Sequence, residues 1–173
     1  KSDAGLVELG VDTATDVRAT YRELLDRARR ADTSAAIEGV LVSKMVTDGV
    51  EALVGISQDP LFGPVVTVGL GGVLVEVLGD VVHRVPPFSR DEAASMLDEL
   101  QGAALFDGVR GSDPVDADAL VDVIMAVQTM ALELDGDFGE LDLNPVMVRR
   151  HGAVALDALA VRALRMTRGE LAR

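Results

Sequence analysis

Only four residues, Arg149, Arg150, His151 and Gly152, separate two strand-like runs, GELDLNPVMV and AVALDALAV. A parallel return would need a crossover of a dozen residues or more, so these runs can only fold back as an antiparallel hairpin. A two-residue turn at Arg150-His151, or a four-residue loop from Arg149 to Gly152, pairs Val148 with Ala153. Either sets Asn144 directly opposite Asp157, a relation in which Cβ atoms lie roughly 4.5–5.5 Å apart. Successive strand side chains point to opposite faces, so Glu140, Asp142 and Asn144 share one face while Leu141 and Leu143 share the other.

Alternating acids on a strand are in general the wet face of a half-exposed sheet. Asp157 adds something further, because it stands alone in an apolar run at the position facing Asn144, and an unpaired buried carboxylate is costly and calls for a partner. One hard cation would serve both side chains. Magnesium suits the pair, since it takes oxygen ligands and typically one or two protein groups alongside ligand phosphates. Zinc would want imidazole or thiolate. The chain has no cysteine, and its two histidines, His83 and His151, stand far apart in sequence.

The rest of the chain supplies a scaffold for this hairpin. LVELGV, from Leu6, has the pattern of a short strand, and ATDVRATYRELLDRARRA that of a helix capped by Asp12 or Thr13. GVLVSKM, VEALVGIS, VVTVGL, VLVEVL and VVHRV read as further strands, with a loop at DPLFGP and a two-residue hairpin signal at Gly79-Asp80. Ser89 with Glu92 forms a capping box for a helix to about Leu100, and DADALVDVIMAVQTMALEL is the longest helix. Strands in hairpins with helices massed to one side predict an α+β domain with a mainly antiparallel sheet. The 173 residues suit one domain spanning 1–173, and the opening KSDAGLVELG, without an initiator Met, reads as cut from a longer chain.

A net charge of −13, from 29 acids against 16 Lys and Arg, argues against binding to nucleic acid, which is held mainly by clustered cations. A small phosphorylated ligand remains compatible, because a bound cation reverses the local field of an acidic site. The run VVTVGLGGVLVEVLG is broken by glycines and a glutamate before the ~20 residues a spanning helix needs, so no membrane segment is expected. The absence of cysteine makes a cytoplasmic setting the natural default.

ELDLNP with HGAVALDALA, and the stretch VEALVGISQDPLFGPVVTVGLGGVLVEVLGDVVHRVPP, resemble the carboxyl-terminal portion of the ATP-grasp domain in nucleoside-diphosphate-forming acyl-CoA synthetases. The beta subunit of succinyl-CoA synthetase is a more distant likeness. The resemblance implies that Asn144 and Asp157 are magnesium ligands and Asp142 the acid just ahead of them. It implies that Ser43, Lys44 and Met45 form the hinge that holds adenine, that Glu51 lies near the nucleotide, and that Gly71, Gly72 and Glu76 are the Gly-Gly and Glu of the central sheet. Lys1 and Gly5 match the phosphate-covering loop. Two positions depart from the pattern: Ser43 replaces a usual Gln or Glu, and Leu6 a usual second Gly.

The implied activity is phosphoryl transfer between ATP or ADP, with Mg2+, and a phosphohistidine on another domain or subunit, coupled to acyl-CoA formation or cleavage. The implied partners are a nucleotide and a CoA-binding domain or subunit, in a full-length protein expected to be oligomeric. Neither His83 nor His151 matches the phosphohistidine, so this piece alone is expected to be inactive. The rival reading is a non-catalytic ATP-grasp-like regulatory module fused to another enzyme such as an acetyltransferase.

Overall fold

The computed structural model describes residues 4–72, 78–109, 111–134 and 138–162. The chain forms two compact units, residues 1–47 and 48–173.

The first unit is organised by helix α1 (Ala14–Ala31), which begins where the Thr13 hydroxyl accepts the Asp16 amide at 3.1 Å. Capping of this kind satisfies one of the orphan donors of a first helical turn. Leu24 is buried on this helix, and Arg27 reaches back to donate to the Gly5 carbonyl at 2.9 Å. Residues 6–11 and 39–45, expected as strands, have no regular secondary structure, and Leu41 is 91% exposed. A strand exists only when a neighbour accepts its backbone hydrogen bonds, and no described residue pairs with either segment.

The second unit carries a six-stranded sheet: β1 (Val50–Asp59), β2 (Gly63–Leu70), β3 (Val81–Arg84), β4 (Phe138–Val148), β5 (Ala153–Ala155) and β6 (Ala158–Arg162). Its order is β3-β2-β1-β4-β5, with β6 pairing further along β4, and every described pairing is antiparallel. The α+β expectation holds. Helices α2 (Arg90–Asp98) and α3 (Ala117–Glu133) supply the other layer. Alternate residues of the strands, Ala52, Val54 and Ile56 on β1 and Val66, Val68 and Leu70 on β2, are buried with Met96 of α2 and Leu120, Ile124 and Val127 of α3. By the same alternation Glu51, Gly55, Thr67, Gly69 and Asp142 belong to the face turned away from the helices.

Two features tie the layers together. The Gln128 amide of α3 both accepts from Phe88 N at 2.6 Å and donates to Phe88 O at 3.1 Å, fixing the approach to α2. Asp80, expected in a hairpin turn, is instead buried, and its carboxylate accepts the Gln101 and Gly102 amides at 2.9 and 3.0 Å. Correspondingly β3 pairs with β2, with Thr67 opposite His83. The VLVEVL strand expected between them lies largely outside the described residues, as does Glu76.

Between β4 and β5 the turn contains two residues, Arg150 and His151, and Arg149 N donates to Gly152 O at 3.0 Å. This is the shorter of the two closures compatible with the sequence. It gives the Val148-Ala153 pairing expected of either.

Candidate functional site

The hairpin register determines what the open sheet face presents. Val146 pairs with Ala155 on one side of a short interruption, and Leu143 with Ala158 on the other. Both rungs belong to a single register, so the two intervening residues of each strand are matched as well, and Asn144 stands opposite Asp157. Pro145 O accepts from Leu156 N at 2.9 Å within this gap.

On its other edge β4 departs from regularity at the same place. Ala52 pairs with Val146 and Val54 with Leu143, leaving Asn144 and Pro145 opposite Leu53 alone. This is a β-bulge, which bends a strand and re-aims its side chains. The Asn144-Pro145 peptide is cis. Asn144 and Asp157 are both exposed, so Asp157 is not the buried carboxylate that its apolar run suggests: β6, which follows it, is exposed throughout, while Leu141, Val146 and Val148 hold β4 to the core.

Asp142 lies one step behind this pair and is half-buried. Burial pushes its carboxyl above the ordinary range, the negative charges of Glu140 and Asp157 push the same way, and a hydrogen bond with the Asn144 side chain opposes them. Asp157 Oδ1 accepts from Ala158 N at 3.0 Å, which orients the carboxylate. The result is a side-chain amide and carboxylates gathered on one exposed face, where the like charges of Glu140, Asp142 and Asp157 repel one another.

Such a donor set fits a hard divalent cation. All the donors are oxygens, and among the described residues no group of three or more His, Cys, Asp or Glu could hold a metal by itself. A cation held here by Asn144 and Asp157 would complete its shell with water and ligand oxygens, the habit of magnesium.

Three more of the residues singled out in the sequence, Glu51, Gly71 and Gly72, lie side by side at the end of β2. Gly71 N donates to Glu51 O at 2.7 Å, and a Cβ placed on Gly71 would lie only 2.8 Å from the Glu51 Cβ. Gly72 follows with φ of +64°, a left-handed conformation that glycine adopts without penalty, and its missing Cβ would sit 3.1 Å from Glu51 Oε2. Glycines at both positions therefore let the Glu51 side chain lie along the end of β2.

Apart from Glu76, which lies outside the described residues, the other predicted residues belong to the first unit. Gly5 has φ of +62°, and Ser43, Lys44 and Met45 are exposed in a segment without regular structure. Lys1 lies outside the described residues. One open-face contact was missed: Thr67 Oγ1 and His83 Nδ1 are 2.8 Å apart. Alternation within VVTVGL and VVHRV puts both residues on their strands' less buried side, but only the β2-β3 register makes them neighbours.

Comparison with known proteins gives a consistent family signal. A model of the ATP-grasp domain matches residues 1–161. The beta subunit of ADP-forming acetate-CoA ligase I from Pyrococcus furiosus is 39% identical over 158 residues, covering 91% of this chain and 68% of that subunit. Among solved structures, the dinucleotide-forming acetyl-coenzyme A synthetase 1 of Ca. Korarchaeum cryptofilum, in complex with coenzyme A, Ca-AMPCP and HgCl+, superposes with a TM-score of 0.89 at 39% identity, covering 94% of this chain and 70% of that one. The same synthetase with coenzyme A and Mg-AMPPCP, its phosphohistidine segment pointing towards the nucleotide-binding site, gives a TM-score of 0.80 at 36% identity over the same shares.

Proposed function

This chain belongs to the ATP-grasp domain family, and we propose that it is the nucleotide- and magnesium-binding part of an ADP-forming acyl-CoA synthetase. Its role is to hold ATP or ADP while a phosphoryl group passes to or from a histidine on another domain or subunit. In the forward sense the bond between the γ-phosphorus and the β,γ-bridging oxygen breaks, a bond to an imidazole nitrogen forms, and ADP leaves. The synthetase whose structure holds Mg-AMPPCP and a phosphohistidine segment supports this reading, as does the beta-subunit relative.

The observation that carries it is the Asn144-Asp157 pair, set face to face by one hairpin register beside a carboxyl that its surroundings keep from ionising freely. Phosphoryl transfer asks mainly for positioning and charge neutralisation, with little covalent help from the protein. Bound magnesium supplies that neutralisation at the terminal phosphates. Asn144 and Asp157 would hold the cation with Asp142 beside them; the buried side of β4 keeps Asn144 and Asp142 in place, and the hydrogen bond from Ala158 N orients Asp157.

Titration of Mg-ATP into the full-length protein by calorimetry tests the assignment. Asn144→Ala and Asp157→Ala should each weaken binding by about tenfold or more, at least what losing a mere outer-shell support costs a metal site. Binding by both variants as tight as the parent's overturns it.

A further inference from the structure

The hairpin that aligns the cation pair is closed by a residue of neither strand. In a regular two-residue hairpin, the residues flanking the turn exchange both backbone hydrogen bonds. Here Arg149 N donates to Gly152 O, but the complementary bond is replaced: Asp116 N donates to Arg149 O at 2.7 Å, and Gly152 N donates to Asp116 Oδ2 at 2.9 Å. Asp116 therefore spans the carbonyl and amide that would otherwise bond to each other. Its other carboxylate oxygen accepts from Ala119 N at 3.1 Å and caps helix α3.

We propose that Asp116 is a positioning residue for the cation site, setting the β4-β5 register from the start of α3. The inference rests on the reading of Asn144 and Asp157 given above. Gly152 has φ of +80° and is held there by a carboxylate anchored in a helix packed on the core. A slip of one residue turns a strand's side chains to the other face. A slip of two sets Asn144 opposite Ala155 or Leu159, neither of which offers an oxygen. Only the register clamped by Asp116 gives an amide and a carboxylate on one face, although the clamp lies five residues, about 16 Å of strand, from Asp157. The ion pairs that flank the turn, Arg150 with Asp113 and Arg149 with Asp48, are exposed and contribute little to holding it. Both amides donating to Asp116 hold its carboxyl below the usual range, as expected of an engaged anion.

The test separates this role from helix capping. Asp116→Thr keeps an oxygen for the Ala119 amide, since threonine is a good N-cap, but has no second oxygen for Gly152. Ser89→Ala removes the cap of α2, where Ser89 Oγ accepts from Glu92 N at 3.2 Å, and serves as the control for a purely structural loss. Binding of Mn2+ to the full-length protein is read from the electron paramagnetic resonance of the free ion. Asn144→Ala should lose binding, Asp116→Thr should weaken it about tenfold, the lower end of the cost of removing an outer-shell support, and Ser89→Ala should leave it unchanged. Loss in Asn144→Ala with parent-like affinity in Asp116→Thr overturns the positioning role alone. Equal weakening by Asp116→Thr and Ser89→Ala also overturns it, as a general stability effect. Parent-like binding in Asn144→Ala overturns the site assignment beneath it.

Discussion

Asp142 carries a charge that its surroundings disfavour. Burial and the neighbouring carboxylates of Glu140 and Asp157 raise its folded pKa. Such a group adds stability below its unfolded value, about 3.9, and loses that contribution as pH rises through the folded value. At neutral pH the ionised carboxylate is therefore a net burden on the cation-free fold. Asp142→Asn keeps the shape and removes the charge, so it should raise the melting temperature at pH 7 without divalent cation, and the gain should vanish below about pH 4. Calorimetry of the two proteins at both pH values decides it, and a lower melting temperature for the variant at pH 7 sinks the argument. The same residues show how far single positions are legible. Asn144 and Asp157 can be matched by counting outward from a turn because a hairpin's register is local. Glu51 and the Gly71-Gly72 pair, twenty residues apart, meet only through the β1-β2 register, and without the family resemblance their spacing says nothing.

Strands and helices of the second unit were legible for a simple reason: each is paired or packed within the chain itself. VEALVGIS, VVTVGL and VVHRV became β1, β2 and β3 because alternation is answered by neighbouring strands and by α2 and α3. LVELGV and GVLVSKM have the same local pattern but find no partner among the described residues, and pattern alone does not make a strand. The end of β2 shows how tightly the paired elements fit. Beyond Leu70 the chain runs against β1 with no room for a side chain, since a Cβ at Gly71 would meet the Glu51 Cβ at 2.8 Å and the Glu51 carbonyl carbon at 3.0 Å. Gly71→Ala must push these strand ends apart. The expected loss is about 1–3 kcal/mol, the usual range for overpacking a well-filled site, seen in chemical unfolding together with weaker nucleotide binding. An unchanged unfolding midpoint would show that the β1-β2 junction can yield.

At the scale of the whole molecule, a net charge of −13 opposes every compact arrangement of the chain near neutral pH. Lowering the pH toward the isoelectric point, about 4.4, removes that repulsion. Asp142 reinforces the trend, because its raised pKa favours the fold as it takes up a proton. Two other carboxyls work against it at lower pH. Asp116 is held below the ordinary range first by the Gly152 amide and then by that of Ala119, and Asp32, in the first unit, first by the Ser34 hydroxyl and then by its amide. A group with a lowered folded pKa gives stability above its unfolded value and loses it as pH falls through the folded one. The two trends predict a melting temperature that climbs from pH 7 toward about 4.5 and drops below about 4, where ordinary carboxyls titrate. Asp116→Thr should melt below the parent on the climbing limb and converge with it on the falling one, because protonation of Asp116 there removes from the parent the advantage that the variant never had. Saturating Mg2+ should flatten the climb by neutralising at pH 7 the same charges that protons neutralise at 4.5. Differential scanning calorimetry across this range, with and without the cation, reads all three effects. A melting temperature that falls steadily from pH 7 downward in the cation-free protein would mean that acidic repulsion does not limit this fold.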